Sequence, residues 1–291
     1  MSALGRRILF GLATADGLER LVRRTAPAQA RAYAAARRYV AGTTIDDAVQ
    51  LAGRLHDQGV ATSIDCFGEQ VTQTAEAEAV AREYVALATR LGDLADSVWL
   101  SIDLSHVGLD LSTAFCRRQL AEISAALPHG RRLQVGAEDA ARTDTALDVV
   151  TALAVDGAPL TMTVQANLRR SPEDARRLTD AGVPIRLVKG AYVESAAAAH
   201  AWGEETDLAF LRLAHQLHDA GARFAIATHD PVIREALLAA FGPIAVEMLL
   251  GVRSDDAIDL VSRGVPVRVY VPYGDDWFRY WMRRLAESRG A

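Results

Sequence analysis

Eight short runs rich in β-branched residues recur along this chain, each separated from the next by a longer amphipathic segment, and no other feature restricts its fold as strongly. They are Val60 to Asp65, Val98 to Leu104, Arg132 to Ala137, Leu160 to Gln165, Pro184 to Lys189, Arg223 to Thr228, Ile244 to Leu249 and Val267 to Val271. Runs that look apolar on both faces suit a parallel sheet covered by helices. Regular strand-helix alternation predicts right-handed crossovers and either a barrel or a doubly wound sheet. Eight units favour the α/β class and a (β/α)8 barrel, for which 291 residues is an ordinary length for one domain.

The connecting segments carry helix punctuation. Ser171-Pro172-Glu173-Asp174 reads as a capping serine, a first-turn proline and early acids, closing at Gly182. The same grammar recurs from Asp230-Pro231 to Gly242 and from Ser254-Asp255-Asp256 to Gly264. Two further helical stretches, roughly Leu18 to Ala41 and Thr44 to Gln58, precede the first strand. Residues 1–59 are therefore expected to pack on the outside or bottom of a barrel formed by 60–291.

A formal net charge of −5 without a basic patch argues against a nucleic-acid partner. Cys66 and Cys116 have no metal-ligand spacing and read as reduced, buried thiols, and no His-x-His pair suggests a metal site. Arg6 and Arg7 resemble an export signal faintly, but Asp16 and Glu19 interrupt the apolar region that one requires. No apolar run approaches the roughly 20 residues that cross a bilayer. The expectation is a cytoplasmic protein whose membrane contact would be peripheral, at the inner face.

Barrel enzymes build their sites from the loops that follow the strands. Polar residues at those ends are Asp103, Ser105, Glu138, Asp139, Gln165, Asn167, Lys189, Tyr192, Thr228, His229, Asp230, Glu247 and Tyr270. Lys189 ends an apolar strand and is followed by Gly190, which lets backbone approach a ligand. It reads as a rim lysine paired with a carboxylate, as a phosphate anchor, or as a Schiff-base nucleophile of an aldolase. His229 either holds its loop or touches a ligand. The last helix, roughly Asp275 to Ser288, presents Arg283 and Arg284, either as a salt-bridged end with Glu287 one turn on or as a carboxylate clamp.

The string Arg186-Leu187-Val188-Lys189-Gly190-Ala191-Tyr192 resembles the most characteristic motif of the proline dehydrogenase family, in its monofunctional bacterial form. Gln165 with Arg169-Arg170, Ala227-Thr228-His229-Asp230, Met248-Leu249 with Gly251, and Val269-Tyr270-Val271-Pro272-Tyr273-Gly274 leading to Arg283-Arg284 look like other blocks of that family. The resemblance implies an FAD enzyme on a (β/α)8 barrel that oxidises L-proline to 1-pyrroline-5-carboxylate by hydride transfer and hands electrons to a quinone. It places Gln165, Arg186, Lys189, Gly190, Ala191, Tyr192, Thr228 and His229 along the flavin, with Leu187 under its ring. Arg283 and Arg284 would grip the substrate carboxylate and Tyr270 would flank its ring. Lack of a GxGxxG fingerprint agrees, because this family holds FAD without a Rossmann domain.

Three positions depart from the family pattern. Asp103 stands where the family has a carboxylate-binding lysine, Gly136 where it has a nearby aspartate, and Glu247 where it usually has glutamine. A carboxylate beside a substrate carboxylate opposes binding unless something neutralises it. Asp103 then either replaces the missing aspartate by holding Arg284, or receives a cationic group of another cyclic or secondary amine. A third alternative is a flavin-binding barrel without turnover.

Overall fold

The computed structural model describes residues 22, 24–68 and 70–288, with side chains as far as 284. Within them, eight parallel strands close into one barrel in simple sequence order. These are β1 (Ala61–Cys66), β2 (Val98–Ile102), β3 (Leu133–Val135), β4 (Leu160–Gln165), β5 (Ile185–Val188), β6 (Phe224–Ala227), β7 (Ala245–Leu249) and β8 (Val267–Tyr273). Closure runs along the whole of β1, from Ala61 opposite Arg268 to Cys66 opposite Tyr273. The helices in chain order are α1 (Ala26–Ala36), α2 (Ile45–His56), α3 (Thr74–Arg90), α4 (Thr113–Ala125) and α5 (Thr143–Val155). There follow α6 (Ser171–Asp180), α7 (Glu204–Asp219), α8 (Pro231–Phe241), α9 (Ser254–Ser262) and α10 (Trp277–Ser288).

The strands are not apolar on both faces. Val164, Leu187, Val246, Met248, Val267 and Val269 join the core between sheet and helices. Their neighbours Thr163, Gln165, Arg186, Glu247 and Arg268 face the barrel interior, as the period of two requires. Across that interior Arg186 Nε donates to Glu247 Oε2 at 2.8 Å, and Gln134 Nε2 donates to both oxygens of the same carboxylate. This ties β3, β5 and β7 together with a largely buried, hydrogen-bonded charge pair, the form in which a barrel tolerates charge.

Helix starts agree with the sequence in some places and differ in others. Thr44 and Asp47 form a reciprocal capping box on α2, and Asp230 Oδ1 accepts from the Val232 and Ile233 amides at the start of α8. Ser171 does not cap α6. Its hydroxyl turns back to donate to the Gln165 carbonyl at 2.5 Å, satisfying the end of β4 instead, and Arg170 occupies the cap position. At α9 the cap position likewise belongs to Arg253, in left-handed backbone, and not to Ser254.

The two N-terminal helices go to different places. α2 lies on the outside of the barrel beside β1 and β8. α1 packs on α10, with Tyr33 and Trp277 rings 5.2 Å apart, and Arg38 Nε donates to the Gly251 carbonyl just past β7. α1 therefore sits at the carboxyl-terminal mouth and not at the bottom. Gly251 makes this contact possible, since a Cβ there would collide with the Arg38 carbonyl. No described helix is long and apolar enough to cross a membrane.

Candidate active site

The carboxyl ends of β1 and β8 bring Asp65 and Tyr270 together. Tyr270 Oη donates to Asp65 Oδ2 and Tyr84 Oη, from α3, to Asp65 Oδ1, each at 2.5 Å. Burial pushes the Asp65 carboxyl up to about 7 even though both phenols oppose it by stabilising the charged form. Asp65 places a charge near the end of an apolar strand, the one signal for it in the sequence, whereas nothing in the sequence marks Tyr84 as its partner.

At β2 and β3 the two unusual positions meet. A Cβ built on Gly136 would fall within the radius of Asp103 Oδ1. The carboxylate of β2 thus occupies the space that a side chain from β3 would fill, and the glycine is what makes room for it. Glu138, beyond β3, accepts from the Ser105 amide at 2.8 Å, and its carboxyl is pushed up to about 8 by burial and then by the negative charge of Asp103. The negative charge of Asp103 thus favours the protonated form of Glu138.

The loops after β4 and β5 interlock. Gln165 Nε2 donates to the Glu138 carbonyl and its Oε1 accepts from the Ala191 amide, both at 2.8 Å, while Tyr192 Oη donates to the Ala137 carbonyl. Gly190 lies flat against Asn167, whose amide would collide with any Cβ at that position. Asn167 is buried and its Oδ1 has no hydrogen-bond partner among the described residues. A glycine cradle next to an unsatisfied buried acceptor fits a ligand with a hydrogen-bond donor, as an isoalloxazine ring edge has.

Lys189 adopts the rim arrangement: its Nζ lies 2.6 Å from Asp207 and 2.9 Å from Asp230. Thr228 Oγ1 accepts from the Asp230 amide. His229 Nε2 accepts from the Leu249 amide at 3.0 Å, so the ring proton belongs on Nδ1. Burial, then the charges of Arg284 and Arg186, push this imidazole down to about 3 and keep it neutral. Arg284 also lies over the Tyr280 ring, 4.9 Å from its centroid, which brings α10 to the mouth beside His229 and Tyr270. Arg283 adjoins it, and the side chain of Glu287 lies outside the described residues.

Leu187 is not brought to this mouth. It is fully buried in the layer between sheet and helices, because Arg186 and Val188 take the interior phase of β5. Glu247, expected among the strand-end groups, and Arg186, which the resemblance placed along the flavin, form a salt bridge inside the barrel.

The proline dehydrogenase family model matches residues 48–291, which is most of the chain. This protein belongs to the proline dehydrogenase family. It is 36% identical over 261 residues to proline dehydrogenase 1 of Bacillus subtilis, covering 87% of this chain and 86% of that one. It is 33% identical to the proline dehydrogenase of Deinococcus radiodurans, over 98% of this chain and 94% of the relative. Among solved structures, proline utilization A (PutA) from Bdellovibrio bacteriovorus superposes with a TM-score of 0.83 at 20% identity. That superposition covers 98% of this chain but 36% of the PutA chain, and it shows the shared barrel. As a proline dehydrogenase the chain is an oxidoreductase of proline catabolism in a flavin-dependent family, and proline is the substrate that membership implies. The aldolase reading of Lys189 is set aside on the same ground.

Proposed function

We propose that the chain oxidises L-proline to 1-pyrroline-5-carboxylate with FAD held at the carboxyl-terminal mouth, and that a quinone takes the electrons. The observation that carries the cofactor assignment is the Gly190 cradle beside the unsatisfied Asn167 amide, at the loop where Gln165 pins the Ala191 amide. When bound, FAD would accept the hydride that leaves the substrate carbon.

The chain's own residues orient and select. Arg283 and Arg284 offer planar, permanently charged forks for the substrate carboxylate, which fixes the donor carbon in place. Tyr270, held by Asp65, presents a rigid aromatic edge to the ring. Asp103 supplies from β2 the carboxylate that relatives supply from β3, which supports its role in holding the mouth's cations. Neutral His229 and the buried Gln165 set the polar wall toward the cofactor.

The test is an anaerobic absorbance titration. L-proline should bleach the flavin band, and the flavin released on denaturation should be FAD. A colourless protein, or a band that proline leaves intact, would overturn the assignment. A second reading, oxidation of another cyclic or secondary amine, is favoured by Asp103 standing where the family has a cation. It predicts bleaching by such an amine and none by proline.

A further inference from the structure

The opposite mouth of the barrel holds a cavity of about 250 Å³ lined by seven of the eight strands and by Arg132, which immediately precedes β3. Arg132, Arg223 and Arg268 face it at the starts of β3, β6 and β8, with Trp99, Phe224 and Pro266 among its apolar walls. None of the three guanidiniums is ion-paired among the described residues. They spend part of their donors on carbonyls: Arg132 on Leu160, Arg223 on Gly182 at 2.7 Å, and Arg268 on Thr62 and Ser97. A carbonyl accepts a hydrogen bond without cancelling charge, and a guanidinium has five N–H donors to place.

The one carboxylate in the lining is Glu247, already held by Arg186 and Gln134. Arg268 lies over the Trp99 ring, 3.5 Å from its centroid, and burial pushes its guanidinium down to about 10 although the Glu247 charge opposes this. Burial and the nearby Arg223 likewise lower Arg132. Like charges converging on a cavity, two of them partly desolvated and Arg223 at its open edge, leave a local positive excess that a bound anion would neutralise.

We propose that this cavity is a second binding site, distinct from the mouth where proline reacts, for a small organic carboxylate whose charge bridges Arg132 and Arg223 and whose apolar body lies in the barrel floor. Guanidinium forks match a carboxylate in two-point geometry, and the apolar walls select against a bare inorganic ion. The site needs no cofactor and no turnover.

The probe is sodium benzoate, added to the protein as purified at constant ionic strength, with sodium chloride as the matched control. Tryptophan fluorescence and the unfolding midpoint should change saturably with benzoate and not with chloride, leaving KM for L-proline unaltered. Arg223→Gln and Arg132→Gln should each weaken benzoate by about tenfold or more while kcat stays that of the parent. Arg223→Lys keeps the charge without the fork and should fall between them, which preserves the test if a glutamine variant folds poorly. Benzoate that competes with L-proline and ignores Arg223→Gln is bound at the reactive mouth, and that result overturns the proposal. So does the absence of saturable binding.

Discussion

The two mouths of this barrel solve opposite electrostatic problems. At the carboxyl-terminal mouth Asp65 and Glu138 are buried carboxyls that accept from phenols and an amide; at the amino-terminal mouth Arg132, Arg223 and Arg268 spend part of their donors on carbonyls. The polarity follows from the topology. In a parallel barrel every helix starts near the strand ends and finishes near the strand starts, so free N–H groups gather at one mouth and free C=O groups at the other. Asp230 capping α8 and Arg223 on the Gly182 carbonyl just after α6 are the two signs of that one asymmetry. Acids at the first mouth can be tuned as reacting neighbours, while cations at the second call for an outside partner.

Substitutions should separate the two ends, and the largest effect is expected at the proposed carboxylate clamp. Arg284→Ala should cut kcat/KM for L-proline by roughly a hundredfold or more, since an oriented, charge-assisted contact is lost, while benzoate binding at the far mouth stays intact. Steady-state kinetics beside the fluorescence titration checks both halves. A parallel loss at both mouths would break the separation drawn here.

The pH dependence of stability comes next in size. Asp65 and Glu138 are raised by burial to about 7 and about 8, so the native state holds protons that the unfolded chain releases near pH 4. Their contribution is complete below the unfolded values and is lost as pH rises through the folded ones. Denaturant unfolding should therefore show stability falling between about pH 4 and 8 by a few kcal/mol. Glu138→Gln should flatten the upper part of that fall, and an unchanged slope would remove Glu138 from the account.

Gly136→Ala should destabilise the protein by about 1–3 kcal/mol, because its methyl meets Asp103. In an Asp103→Ser background the same change should cost less, and a double-mutant cycle reads the difference. Strictly additive effects would mean that the two positions do not share space. Gly136→Asp with Asp103→Lys should accordingly be tolerated better than Gly136→Asp alone. The smallest expected effect is at the rim, where Asp230→Asn should weaken the Lys189 pair yet keep the α8 cap, lowering stability by about 1 kcal/mol or less.

The barrel was legible because its signal repeats: β4 matched its sequence bounds, and the other strands were displaced by a few residues at their ends. Leu187 shows what the motif alone leaves open. Its position in a characteristic string says that it matters, but the phase of β5, set when Arg186 reached across to Glu247, sent it outward. Asp65 was missed for a related reason: nothing near it in sequence announces that Tyr84 and Tyr270 will both donate to it. Ser171 carried a correct helix signal for a different hydrogen bond.

Local order in the chain determined what local order can: the strand-helix period, the barrel class, the family motifs and the strand ends that supply polar groups. The pairing of those groups was decided only by closure of the barrel, which brings Cys66 opposite Tyr273 and lets β3, β5 and β7 meet in its interior. Asp103 over Gly136, the neutral His229 beside Arg284, and three arginines around one cavity are contacts between strands or helices well separated in sequence. Charge and burial act through distance in space, and that distance exists only once the eighth strand has met the first.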